Sequence, residues 1–91
     1  MTTVSKGFAF SNAGHDSGTL YLITGAEKTK LLLVDGKHRK LDKPKLKNIK
    51  HLTFLPESVY AKFKARIERE DLTDAEVRRV LAAVKNREEV T

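Results

Sequence analysis

The apolar residues of this chain change period once, near Pro56, and that change limits what the chain can fold into. Upstream, apolar residues come in short runs separated by turn formers, with no helical repeat. Phe8 and Phe10 alternate with small residues, and Ser11-Asn12-Ala13-Gly14 follows with loop chemistry. Thr19 to Thr24 (TLYLIT) is rich in β-formers and predicts a second strand that Gly25 ends. Lys30 to Val34 (KLLLV) is apolar but too short for a stable helix. It stops at Asp35-Gly36, a pair suited to the positive φ angles of a tight hairpin turn, which makes Lys37 to Leu41 the expected return arm. Asp42-Lys43-Pro44 breaks that arm, because proline cannot donate to a ladder, and Asn48 to Phe54 reads as the last strand.

Downstream the period becomes helical. Val59, Phe63 and Ile67 recur every four residues within Pro56 to Glu70. After Asp71-Leu72, Thr73-Asp74-Ala75-Glu76 has the form of a capping box, in which hydroxyl and carboxylate each satisfy an orphan amide. Val77, Val80, Leu81 and Val84 then share one helical face. The expectation is a mainly β fold with C-terminal helices. Five short strands in residues 1–55 close into a small bent antiparallel barrel, and residues 56–91 form a two-helix hairpin packed on it or extending from it.

Charge is distributed very unevenly. The formal net charge is +6. Residues 1–36 balance Lys6, Lys28 and Lys30 against Asp16, Glu27 and Asp35, and residues 52–91 balance eight cations with eight acids. The whole excess lies in residues 37–51, where Lys37, Arg39, Lys40, Lys43, Lys45, Lys47 and Lys50 face Asp42 alone, with His38 and His51 near the two ends. A lysine-rich run is often only a solvated surface. This one lies inside the folded part of an otherwise balanced chain, which points to a polyanion site. On an extended strand Lys45, Lys47 and the Asn48–Lys50 region project at about 6–7 Å per two residues, comparable to the phosphate spacing of a nucleic-acid strand.

The second candidate is Gly14-His15-Asp16-Ser17-Gly18, between the first two strands. Two glycines four apart permit a tight backbone that can approach a phosphate or base; ordinary turn chemistry explains the same residues equally well.

Phe8-Ala9-Phe10 through Gly14-His15-Asp16-Ser17-Gly18-Thr19-Leu20-Tyr21-Leu22-Ile23 resembles a KOW motif, with its Gly-x-Asp-x-Gly loop followed by a hydrophobic strand. Leu33-Val34-Asp35-Gly36-Lys37-His38-Arg39, Lys43-Pro44-Lys45 and Asn48-Ile49-Lys50-His51-Leu52 are similar to the small bacterial KOW-domain RNA-binding proteins, which themselves resemble KOW-type ribosomal proteins of the large subunit. The resemblance covers about residues 4–55. It implies an SH3-like barrel that contacts RNA through its first loop and neighbouring basic strands. Gly18 matches the motif's most constant glycine, Gly14 the glycine that opens the loop, and Asp16 the usual aspartate. Where many KOW loops carry lysine, this one has His15, Ser17 and Thr19, which moves the expected binding energy to Lys37–His51.

Other chemistry is thinly represented. Phe8, Phe10, Tyr21 and Phe54 could stack on bases, but in so small a barrel they read as core. His15 beside Asp16 lacks a third metal ligand or a paired nucleophile, and no cysteine is present. Arg66, Arg69, Arg78 and Arg79 are offset by neighbouring acids. Nothing calls for a cofactor or an enzyme, no apolar run approaches the ~18 residues of a membrane span, and the amino terminus lacks the form of a secretory signal. The sequence therefore predicts a cytoplasmic, monomeric RNA-binding protein that recognises ribosomal RNA or a ribosome-associated site by phosphate and shape contacts, with ribosomal proteins as further partners. The alternative expectation is a protein–protein adapter of the translation or transcription machinery.

Overall fold

The computed structural model describes residues 6–90, with side chains through residue 86. The sequence expectations for residues 1–5 and Thr91 lie outside the described residues. The strands are β1 (Gly7–Ser11), β2 (Leu20–Glu27), β3 (Lys30–Val34), β4 (Lys45–Asn48) and β5 (Leu52–Phe54), with a 3-10 turn at Ile49–His51 between the last two. They form one antiparallel sheet in the order β4-β3-β2-β1-β5, so the last strand returns to pair with the first. Three helical segments follow: α1 (Glu57–Tyr60), α2 (Lys64–Ile67) and α3 (Asp74–Val90), with a 3-10 turn at Ala61–Phe63 joining α1 to α2.

Strict alternation gives the sheet two apolar faces. Phe8 of β1, Leu20 and Leu22 of β2 and Val34 of β3 share one buried cluster with Leu55, Ile67, Val77, Val80, Leu81 and Val84. The helical segments therefore pack on the sheet. Ala9, Tyr21, Ile23, Leu31, Leu33 and Leu52 point to the other face and make a second, smaller cluster. A one-residue shift in any strand would exchange the two sets, so register is strongly specified. Helix α3 realises half of the expected capping box: the Glu76 amide donates to Thr73 Oγ1 at 3.2 Å, but Glu76 Oε1 accepts the Thr73 hydroxyl at 3.2 Å instead of a backbone amide. Its stripe of Val77, Val80 and Val84 is buried.

Four local expectations are corrected. Gly25 does not end β2; the strand continues to Glu27 across a register shift between Ile23 and Gly25. Lys37–Leu41 is not a return strand. The Asp35 carboxylate accepts the amides of Lys37 and Arg39, both at 2.8 Å, and this Asx-type turn holds the chain away from the β3 ladder. The true partner of β3 is Lys45–Asn48, beyond Pro44. The expected strand Asn48–Phe54 is interrupted because the Asn48 side chain accepts the Lys50 amide at 3.1 Å and caps the 3-10 turn. Finally, the first arm of the helical hairpin is three short turns rather than one helix.

Candidate nucleic-acid interface

The basic segment divides into two parts with different surroundings. From Asp35 to Leu41 the chain is fastened to the start of α3. The Asp35 and Gly36 amides donate to the Arg39 carbonyl at 2.9 and 3.1 Å. The Leu41 amide donates to Asp74 Oδ1 at 2.8 Å, and Arg78 Nη1 donates to the Gly36 carbonyl at 2.5 Å. Gly36 has φ 77°, and a Cβ there would lie 2.5 Å from the Asp74 carbonyl oxygen, so this contact requires glycine. Burial acts to raise the Asp35 carboxyl, but the amides of Arg39, Lys37 and His38 prevail and hold it below the usual carboxylate range. On this anchored loop Lys37, His38, Arg39, Lys40 and Lys43 are all exposed, and none of these cations forms an ion pair among the described residues.

The second part is β4. Lys45 and Lys47 share one face of the strand, as the sequence predicts, but that face is the inner one. Lys45 Nζ donates to Asp16 Oδ2 at 2.8 Å; Lys47 Nζ donates to Asp16 Oδ1 at 2.6 Å and to the Ala13 carbonyl at 2.8 Å. Tyr21 Oη and Ser11 Oγ also donate to Asp16, each at 2.8 Å. Burial tends to raise the Asp16 carboxyl, yet the hydrogen bonds from Lys45, Lys47, Tyr21 and Ser11 outweigh it and hold the group far below the usual range. Burial and Asp16 together push the Tyr21 phenol well above its ordinary value. The Lys47 side chain is only 11% exposed. The Gly14–Gly18 loop is thereby tied to β4, and its aspartate is fully engaged within the protein. The loop is closed by the Gly18 amide on the Ser11 carbonyl at 2.7 Å and the Thr19 amide on the Asp16 carbonyl at 2.9 Å. Gly14 (φ 84°) and Gly18 (φ 92°) supply its left-handed positions. His15 and Ser17 face outward at its tip.

Lys50 is exposed on the 3-10 turn, and His51 beside it is half-buried. Leu46, between the two inward lysines, is pushed to the outer face and is 42% exposed. The aromatic residues do not behave alike. Phe8 and Tyr21 are buried as expected, whereas Phe54 is 49% exposed, a correction to its reading as core. Its position on the short edge strand β5, which pairs only with β1, explains the difference. Phe54 and Ile49 border a cavity of about 590 Å³ that sequence reasoning did not find. The arginines of the helical region also gather locally: Arg66, Arg69 and Arg79 line a cleft of about 230 Å³ with Glu76, while Arg69 pairs in bidentate fashion with Asp71 at 2.8–2.9 Å.

Among the described residues no cluster of three metal-ligating side chains occurs, and no helix is long and apolar enough to cross a membrane. A comparison with protein-family models finds no match for the chain, and a comparison with curated proteins finds none either.

Proposed function

We propose that this chain is an RNA-binding module of the KOW type, cytoplasmic and ribosome-associated, with ribosomal RNA as its ligand. The observation that carries the reading is that Lys37, Arg39, Lys40, Lys43 and Lys50 are exposed and form no ion pair among the described residues, within the segment that holds all of the chain's excess charge. The Asp35 turn and the contacts to α3 hold the first three of these on a fixed loop, so they present charge without the ordering cost of a free tail. Recognition rests on phosphate contacts and RNA shape. The SH3-like reading is supported by the strand order, in which β5 returns to β1 and a single 3-10 turn joins the last two strands. In this reading Lys45 and Lys47 complete the small barrel instead of binding RNA.

The test is RNA affinity measured against salt for a variant carrying Lys37→Ala, Arg39→Ala and Lys40→Ala. Each lost phosphate contact lowers the slope of log affinity on log salt by about 0.7 for a single strand, so the variant should lose about 2 from that slope and bind all RNA sequences more weakly. Unchanged affinity and slope would remove the reading. The apolar cavity favours a second reading, an adapter that docks an apolar segment of a ribosomal or transcription protein; on that reading the triple variant keeps its partner.

A further inference from the structure

The inner cluster of the sheet is covered unequally. The Asp16 ion cluster covers it on the side of the β1–β2 loop. Ile23 and Leu31, two members of the same cluster, also line the cavity of about 590 Å³, together with Ala26, Ile49, Phe54 and Tyr60. That volume falls in the range of pockets that enclose small molecules or single planar groups, roughly 300–1,000 Å³. The large apolar side chains at its mouth are Ile49, 43% exposed, and Phe54, 49% exposed. Single exposed apolar residues are common on any surface, but these two border the same opening.

The charged group in the lining is Lys28, and no acidic side chain lines the cavity. Lys28 has φ 57°, the only non-glycine positive φ among the described residues. It sits in the tight turn between Glu27 and Lys30, which are paired in register. A lysine in that conformation costs of order 1 kcal/mol relative to glycine, so local turn stability does not explain its presence. The Ile49 amide donates to the Thr29 carbonyl at 3.1 Å and ties this turn to the 3-10 turn. Lys28 and Lys30 of this turn and Lys50 of the 3-10 turn are all exposed, as is Glu27 beside Lys28.

We propose that this cavity receives an unpaired nucleobase of the bound RNA, stacked against Phe54, with Lys28 meeting its phosphate. The inference rests on the RNA-binding reading. An aromatic wall in a lining that holds a cation and no acidic side chain suits a planar ring carrying negative charge close by. A wholly apolar peptide would leave Lys28 without a partner.

The chain contains no tryptophan, so 2-aminopurine fluorescence can be read without protein interference. The full chain is titrated with a single-stranded RNA carrying 2-aminopurine and, separately, with a fully paired RNA of equal length. The single strand should be quenched on binding. Phe54→Ala should abolish the quench and weaken single-strand binding roughly ten-fold, the loss of one stacked base, with duplex binding unchanged. Lys28→Gly suits the turn's backbone, so it should fold at least as well while weakening the single strand several-fold. RNA binding with no quench, together with parental affinity in both variants, overturns the cavity proposal and leaves the RNA reading standing. Absence of binding to either RNA overturns both. An apolar dye that fills the cavity and is not displaced by RNA assigns the cavity to a protein partner and also overturns the proposal.

Discussion

Lys40 and Lys45 stand five residues apart in one basic segment, yet their surroundings assign them opposite work. Lys40 lies on a loop whose Asp35 is occupied by backbone amides and whose Asp42 forms no ion pair among the described residues, so the neighbouring cations are left unneutralised. Lys45 and Lys47 lie on a strand whose inner face meets Asp16, so their charge is neutralised inside the fold. Local charge density is similar in the two halves. What separates them is whether the nearest carboxylate accepts from the backbone or from the lysines, which decides whether a cation stabilises the sheet or remains available to a ligand.

Asp16→Asn attacks this contrast most strongly. It leaves Lys47 poorly solvated and unpaired, so the cost should be about 2–3 kcal/mol, seen as a fall in thermal midpoint of more than 10 °C for a domain of this size. RNA affinity of the folded fraction should hold or rise, because Lys45 is released. The same site sets an acid limit. The folded-state Asp16 carboxyl titrates far below its unfolded value of about 3.9, so its contribution is complete above that value and drains away as pH falls below it. Acid unfolding of Asp16→Asn should therefore depend less steeply on pH below 4 than that of the parent.

Gly36→Ala sharpens the comparison from the other side. The new Cβ meets the Asp74 carbonyl at 2.5 Å in a left-handed backbone, and a cost of about 2 kcal/mol is expected. Because the loop must shift away from α3, RNA affinity should fall as well, with every cation still present. Thr73→Ala should act more weakly. It removes the cap of α3 for about 1 kcal/mol and loosens the platform under the loop without touching the Asp16 cluster. Denaturant midpoints for both variants, paired with RNA titrations, check these effects.

Several of these features were legible in the sequence. Alternation at Phe8, Leu20 and Leu22 and the Thr73 hydroxyl cap are local signals, and both are realised, although Glu76 accepts the Thr73 hydroxyl instead of an amide. The concentration of charge in residues 37–51 was likewise visible. The inward turn of Lys45 and Lys47 was not, because the lysines face the core side and Leu46 the outside, the reverse of the usual binary pattern. Only the long-range meeting with Asp16, 29 and 31 residues away, makes that arrangement favourable. The missing return arm at Lys37–Leu41 has a similar origin. Asp35-Gly36 does form a turn, but the Asp35 side chain consumes the amides that a hairpin would have used. Phe54 reads as core from sequence because its exposure depends on the short edge strand and the open cavity beside it, which leave no trace in local hydropathy.

The most direct test sets the two halves of the basic segment against each other in one measurement. RNA affinity is followed from low to high salt for Lys37→Ala/Lys40→Ala and for Lys45→Ala/Lys47→Ala, with the folded fraction of each determined under the same conditions. The first pair should lower the salt slope by about 1.4 at unchanged stability. The second should lower stability and leave the slope of the folded protein as it was. A reduced slope in the second pair, with no loss of stability, would contradict the division of roles.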